Sequence, residues 1–202
     1  MDIPNSKPSP DRSDEEITKE ALRNADAFGM LMNRYEAPLA RYVRRISSFS
    51  PDDVDDILQE AFIKAYRHLR EFDGNSKFSS WIYRIARNQT IDTARKKHVK
   101  ATVSIEEHDL GNFLRAATDP EGDLARREEL AQVEAVIRDL PDTYRDALIL
   151  RFLEEKSYEE IMDILHVPKG TVATLIRRGR ALLMKRLGQD GTSTTKAVTT
   201  TV

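Results

Sequence analysis

The chain has 202 residues, of which 33% are charged and 40% apolar, with a formal net charge of −2 and a pI near 6.1; this is an ordinary soluble composition with room for one domain or two. It has no cysteine, so disulfides, thiol nucleophiles and cysteine-based zinc sites are excluded. No apolar run approaches the roughly 20 residues needed to span a bilayer, and the first residues lack the apolar core of a secretory signal, so a cytosolic protein with no membrane insertion is expected.

Residues 1–13 are rich in proline and small polar residues and read as a disordered tail. Phe28, Leu31, Met32, Tyr35, Leu39, Tyr42, Val43 and Ile46 then recur at three and four and predict a packed helix. Ser50-Pro51-Asp52-Asp53 starts another, because proline suits the first turn and acids complement the positive end of the helix dipole. Its buried stripe is Ile57, Leu58, Ala61, Phe62, Ala65 and Leu69. The acids at its start do not make a calcium loop: counting from Asp53, the sixth position is Leu58 where glycine is needed, and the twelfth is Lys64 where glutamate is needed. Capping explains the first acids but not the cluster Asp56, Gln59, Glu60 and Phe62, which leaves room for a surface that docks a basic partner helix.

A turn through Gly74 and Asn75 leads to a further helix from Phe78 to about Lys97, giving three or four helices in the first half. Here Phe78, Trp81 and Tyr83 are interleaved with Arg84, Arg87, Arg95, Lys96, Lys97 and Lys100, a pattern that suits stacking on exposed bases beside a phosphate backbone. For Trp81, a place in the core is an equally good reading.

Residues 101–123 read as a flexible linker, and acids outnumber bases between Ser104 and Glu129. A solvated connection is the preferred reading; a strand that mimics nucleic acid is the other. Residues 124–187 form a second helical unit, with Val133, Val136, Ile137, Leu140, Tyr144, Leu148, Ile149 and Phe152 on its apolar face, and residues 188–202 read as a disordered tail. Within this unit Ser157 and Glu160 make a capping box, and Ile161, Met162 and Leu165 a buried stripe. The chain breaks at His166-Val167-Pro168, and a second helix starts near Pro168. From Lys169 to Arg186 that helix is cationic without a single acid, and Val172, Ile176, Leu182 and Leu183 form its apolar side. Helix, tight turn and basic helix are the sequence form of a helix-turn-helix, whose second helix enters the major groove. A merely solvated cationic face is the competing reading. His68, His98, His108 and His166 do not pair at metal-ligand spacing, and no nucleophile motif is present, so no catalytic residue, metal or cofactor is expected.

Two stretches, DDILQEAFIKAYRHLREFDGNSKFSSWIYRIARNQTIDTARKK and LPDTYRDALILRFLEEKSYEEI followed by VPKGTV, together resemble an alternative sigma factor of the extracytoplasmic-function group in the sigma-70 family of bacterial RNA polymerase. The resemblance covers roughly residues 20 to 187. It implies an all-α fold of two small domains, sigma domain 2 at 14–100 and sigma domain 4 at 124–187. Asp56, Leu58, Gln59, Glu60 and Phe62 would bind the clamp helices of the largest polymerase subunit. Phe72, the loop Asp73, Gly74, Asn75, Ser76 and Lys77, then Ile85, Asn88 and Asp92, would open the −10 element and hold a base turned out of the stack, with Arg95 and Lys96 on the backbone. The second domain would read the −35 element and touch the flap of the second-largest subunit. In the recognition helix Ala173, Thr174 and Leu175 stand where the family commonly has a basic residue, a serine and an arginine. Thr174, Arg177 and Arg178 are then the base-contact candidates, and Lys169, Thr171 and Arg180 the phosphate candidates. Many relatives are held inactive by an anti-sigma partner, which here would have to cover these same faces.

The leading expectation is a promoter-specificity factor without catalysis of its own, which binds core polymerase and promoter DNA. A stand-alone helix-turn-helix regulator is the alternative, and an enzyme acting on nucleic acid the third.

Overall fold

The computed structural model describes residues 12–72, 74, 76–101 and 133–189, and every regular element among them is helical. The first half comprises α1 (Asp14–Ala21), α2 (Ala25–Ile46), α3 (Pro51–Arg67), a 3-10 turn (Leu69–Glu71) and α4 (Phe78–Ala101). The second comprises α5, described over residues 133–138, then α6 (Asp142–Leu148), a π-helical turn (Ile149–Leu153), α7 (Tyr158–Leu165) and α8 (Lys169–Gln189). Most of the expected linker and tails lie outside the described residues. At the margins, Arg12 and Ser13 already belong to the fold, and α8 runs two residues past the expected end of the second unit.

Three helices start with reciprocal caps. Ser13 with Glu16, Ser50 with Asp53 and Ser157 with Glu160 each pair a hydroxyl with a backbone N–H and a carboxylate with the cap's own N–H. Helix α1, which the apolar spacing does not announce, buries Ile17 and Ala21, and its Asp14 accepts from Arg34 and from the Tyr35 hydroxyl on α2. Burial first, and then that carboxylate, push the Tyr35 hydroxyl far above its ordinary pKa.

The stripe expected for α3 is buried throughout, Leu69 in the following turn included. On α2 the stripe holds except at Met32, which is 39% exposed. Phe72, Phe78 and Trp81 form an aromatic cluster with ring centroids 5.2–5.8 Å apart. Trp81 is only 9% exposed, so the core reading holds for it, as it does for Phe78 and Tyr83. Each such side chain contributes about 1.5–3 kcal/mol on burial, well above the roughly 0–1 kcal/mol of a surface ion pair. Polar ties between α3 and α4, Lys64 Nζ to Gln89 Oε1 and Lys97 Nζ to Asp53 Oδ2 at 2.5 Å each, therefore set position more than stability.

The second half packs on Ile137, Leu140, Leu148, Leu150, Ile161, Ile164, Val172, Ile176 and Leu183. Two expectations need correction. Phe152 is 41% exposed, because the π-helical turn adds a residue to the turn and rotates the next side chains off the helical face. On α7 the buried pair is Ile161 and Ile164, with Met162 and Leu165 half-buried at the margin. Helix α7 ends at His166, whose φ of 55° and ψ of 50° lie in the left-handed region where glycine is usual.

The two halves touch. Helix α4 packs along α7, and α2 meets α6 and the π-helical turn. Arg87 Nε donates to Asp146 Oδ2 at 2.7 Å, Arg45 pairs with Glu154 at 2.7 Å and Glu134 at 3.0 Å, and the Tyr83 hydroxyl donates to Glu154 Oε2 at 2.8 Å. No sequence pattern points to this seam.

Candidate nucleic-acid interface

Helix α3 offers one side to the core and the other to solvent. Asp55, Asp56, Gln59 and Glu60 are exposed, whereas Leu58 and Phe62 are 5% and 6% exposed and belong to the core. Of the five residues singled out for docking, Asp56, Gln59 and Glu60 are available to a partner, and the two apolar ones hold the helix beneath them.

The turn before α4 rises from the aromatic cluster. Phe72 is half-buried there, and Gly74 has a φ of +72°, a conformation that costs a residue with a Cβ about 1–2 kcal/mol. Asp73 and Asn75 lie outside the described residues. Ser76 is half-buried, and Lys77 is exposed with its ammonium 3.4 Å from Glu160 of α7.

Along α4, Ile85, Asn88, Asp92 and Arg95 recur at three, four and three and so share one face. Asn88 and Arg95 are exposed; Ile85 and Asp92 are half-exposed. Arg95 and Asp92 stand 4.0 Å apart, and Lys96 is exposed beside them. Two cations of the basic run are committed elsewhere: Arg87 to Asp146, and Lys97 to Asp53 and to the Phe49 ring 5.0 Å away.

On α8, Val172, Ile176, Leu183 and Leu187 face inward, with Leu182 half-buried. Thr171, Ala173, Arg177 and Arg178 are exposed, and Thr174 is half-exposed with its hydroxyl donating to the Gly170 carbonyl at 2.9 Å. That leaves the Thr174 oxygen as an acceptor. The two departures from the usual recognition-helix pattern differ in kind: Leu175 is half-buried against the core, whereas Ala173 is exposed where a cation could have stood. Lys169 is exposed and pairs with Glu159 at 2.6 Å, a contact that holds the Glu159 carboxyl below its ordinary pKa and raises that of Lys169. Arg180 lies over the exposed Phe152 ring at 5.9 Å.

The groups the sequence overlooked are Arg45, Asp146 and Glu154 of the seam, and Tyr83, expected beside exposed bases, joins them there. They lie 59 to 109 residues from their partners, beyond any local signal.

A capped helix, a tight turn and a long cationic helix make the second unit a helix-turn-helix, joined to a helical unit with an acidic helix face and a polar row. Residues 31–99 match Sigma-70 region 2, and residues 130–183 match Sigma-70, region 4. The ECF RNA polymerase sigma factor SigW of Bacillus subtilis is 38% identical over 169 residues, 80% of this chain and 89% of that protein. The ECF RNA polymerase sigma-E factor of Escherichia coli K12 is 38% identical over 176 residues, 82% and 90% of the two chains. Among solved structures, CnrH in complex with the cytosolic domain of CnrY aligns with a TM-score of 0.66 at 27% identity, over 89% of this chain and 99% of that one. RpoE of Bartonella quintana, solved with the anti-sigma factor NepR, aligns with a TM-score of 0.65 over 81% and 98%; at 22% identity it speaks to the fold alone. The chain belongs to the sigma-70 family, as a sigma factor of the extracytoplasmic-function group. Among the described residues no helix is long and apolar enough to cross a membrane.

Proposed function

We propose that this chain is an alternative sigma factor that binds core RNA polymerase and directs it to promoters by reading a −10 and a −35 element. In this reading Asp56, Gln59 and Glu60 dock on the clamp helices of the largest subunit. The turn from Phe72 to Lys77 and the row Ile85, Asn88 and Asp92 open the −10 element, with Arg95 and Lys96 on its backbone. Taking a base out of the stack costs a few kcal/mol, which a half-apolar, half-polar row with adjacent cations is suited to offset. Thr174, Arg177 and Arg178 read −35 bases, with Lys169, Thr171 and Arg180 on phosphates, and the second unit touches the polymerase flap. The chain has no catalysis of its own and works in the cytoplasm, where polymerase is. A protein partner of the anti-sigma kind would act by covering these faces.

One observation carries this reading over a stand-alone regulator: the exposed α3 acids and the α4 row lie in the half that a helix-turn-helix does not need. The test is the double substitution Gln59→Ala with Glu60→Ala, assayed for binding to core polymerase and for promoter-specific transcription. We expect affinity to fall by at least about tenfold, which corresponds to about 1.4 kcal/mol. Unchanged affinity together with loss of function in Arg177→Ala would favour the regulator.

A further inference from the structure

Helix α8 lines a cleft whose shape the base and phosphate candidates do not by themselves explain. Ala173, Ile176, Arg177 and Arg180 on α8 and Tyr158 at the start of α7 enclose about 340 Å³ of open space. Ala173, Arg177 and Arg180 follow one another at four and three and so share one side of the helix. Ile176, at 5% exposure, is the core residue beneath them. The aromatic side is held by cations: the Arg151 guanidinium lies 5.8 Å from the centre of the Tyr158 ring and donates to the Lys156 carbonyl at 3.2 Å, and Arg180 lies over Phe152. The cleft therefore has fixed walls.

Its lining is apolar in one part and cationic in another. The Ala173 side chain is a methyl with no hydrogen-bonding group, and with Ile176 and the Tyr158 ring it makes one apolar surface. Arg177 and Arg180 add two positive charges, and among the described residues no acid lines the space. Such a lining suits a ligand with an apolar edge beside an anion. A thymidine unit of duplex DNA has that chemistry: its 5-methyl is the apolar group among the base edges of the major groove, and a phosphate lies on either side of it. The other three bases present hydrogen-bonding groups there, which a methyl seat would leave unpaired. The cleft is also continuous with the exposed side of α8 that carries Thr171 and Arg177.

We propose that Ala173 is a specificity-determining residue for the −35 element: with Ile176 and Tyr158 it receives the 5-methyl of one thymine, while Arg177 bonds a neighbouring base and Arg180 the backbone. The proposal rests on the sigma-factor reading above and adds to it the identity of one base pair. An arginine in place of Ala173 would fill the cleft and replace the methyl seat with a two-pronged donor to guanine O6 and N7. Thr174 supports a different step of the same reading, since its hydroxyl donates to the Gly170 carbonyl and its oxygen accepts from adenine N6 or cytosine N4.

The test removes the methyl from the DNA and leaves the protein intact. Core polymerase with the full-length chain selects bound duplexes from a pool randomised at both promoter elements. The native chain should enrich a T·A pair at one −35 position. Deoxyuridine in place of that thymine deletes the methyl and keeps every hydrogen-bonding group, and should weaken binding about three- to fivefold. Ala173→Arg should enrich G·C at the same position and bind the thymine and uracil duplexes equally. Ala173 is exposed and arginine is a good helix former, so this variant reports recognition and not folding. No enriched T·A pair, binding indifferent to uracil at every enriched thymine, or a uracil effect that survives Ala173→Arg each overturns the thymine seat and leaves the sigma-factor reading standing. If the native chain selects no promoter with a polymerase that works with another specificity subunit, the sigma-factor reading itself fails, and the thymine seat with it.

Discussion

Asp53 does two things at once. Its carboxylate accepts from the Ser50 backbone N–H and hydroxyl at the start of α3, and from Lys97 on α4, which ties α3 to the helix carrying the polar row. Burial alone would raise its pKa, but the hydrogen bonds from Lys97 and Ser50 together outweigh burial and hold it below 3.8. A carboxylate depressed in the folded state stabilises the fold above its unfolded pKa and loses that contribution as pH falls through the lowered value. The stability difference between the native chain and Asp53→Asn should therefore be constant above about pH 5 and shrink below 3.8. Urea denaturation across that range measures it, and a gap that stays constant down to about pH 2.5 would show that the Asp53 charge is not the source. The sequence made half of this legible. Ser50, Pro51 and the acids announce a helix start, but Lys97 read as one cation among several facing nucleic acid, because its partner lies 44 residues away.

Helices were more legible than single side chains, and their ends more than their interiors. Caps at Ser50 and Ser157 and the proline start of α8 rest on local backbone chemistry that four or five residues express completely. The π-helical turn and the left-handed His166 have no such signature, and these misplace Phe152 and soften the edge of the α7 stripe. Helix α8 illustrates how packing overrides propensity. Gly179 lies mid-helix, where alanine would normally gain about 0.8–1 kcal/mol, but a Cβ there would stand 3.1 Å from Leu148 Cγ and 3.2 Å from its Cδ1. Leu148 is fully buried, so it would have to shift by a few tenths of an ångström within a packed core. Overpacking of this sort costs about 1–3 kcal/mol, so Gly179→Ala should lose about 1 kcal/mol net, and with it the angle at which α8 leaves α6. Thermal denaturation tests the first part. A gain in melting temperature would mean that Leu148 yields and that the α6–α8 contact does not set the recognition helix.

For the whole molecule, the all-helical two-part plan came from the period of the apolar residues, but the seam did not. Periodicity reports neighbours three and four residues apart; Arg87 and Asp146 are 59 apart, and their pairing emerges only once both halves are folded. Charge gave no warning either, since a net of −2 conceals an acidic α3 face, a cationic α8 face and a seam that uses both signs. The connection between the halves then becomes a matter of length. Deleting residues 106–125 leaves roughly 11 residues between Ala101 and Val133, a reach of about 40 Å. That falls short of about 85 Å between elements, even allowing each small unit a radius of about 13 Å. The deletion should leave core polymerase binding intact, since the α3 face is untouched, and abolish the stimulation that a −35 element gives to transcription from a −10 element. Replacing the same 20 residues with glycine and serine restores the length without the acids, and should restore that stimulation. If the glycine-serine chain fails while binding polymerase normally, reach is not the limiting property; the acids between Ser104 and Glu129 then act themselves, as a strand placed where nucleic acid would lie.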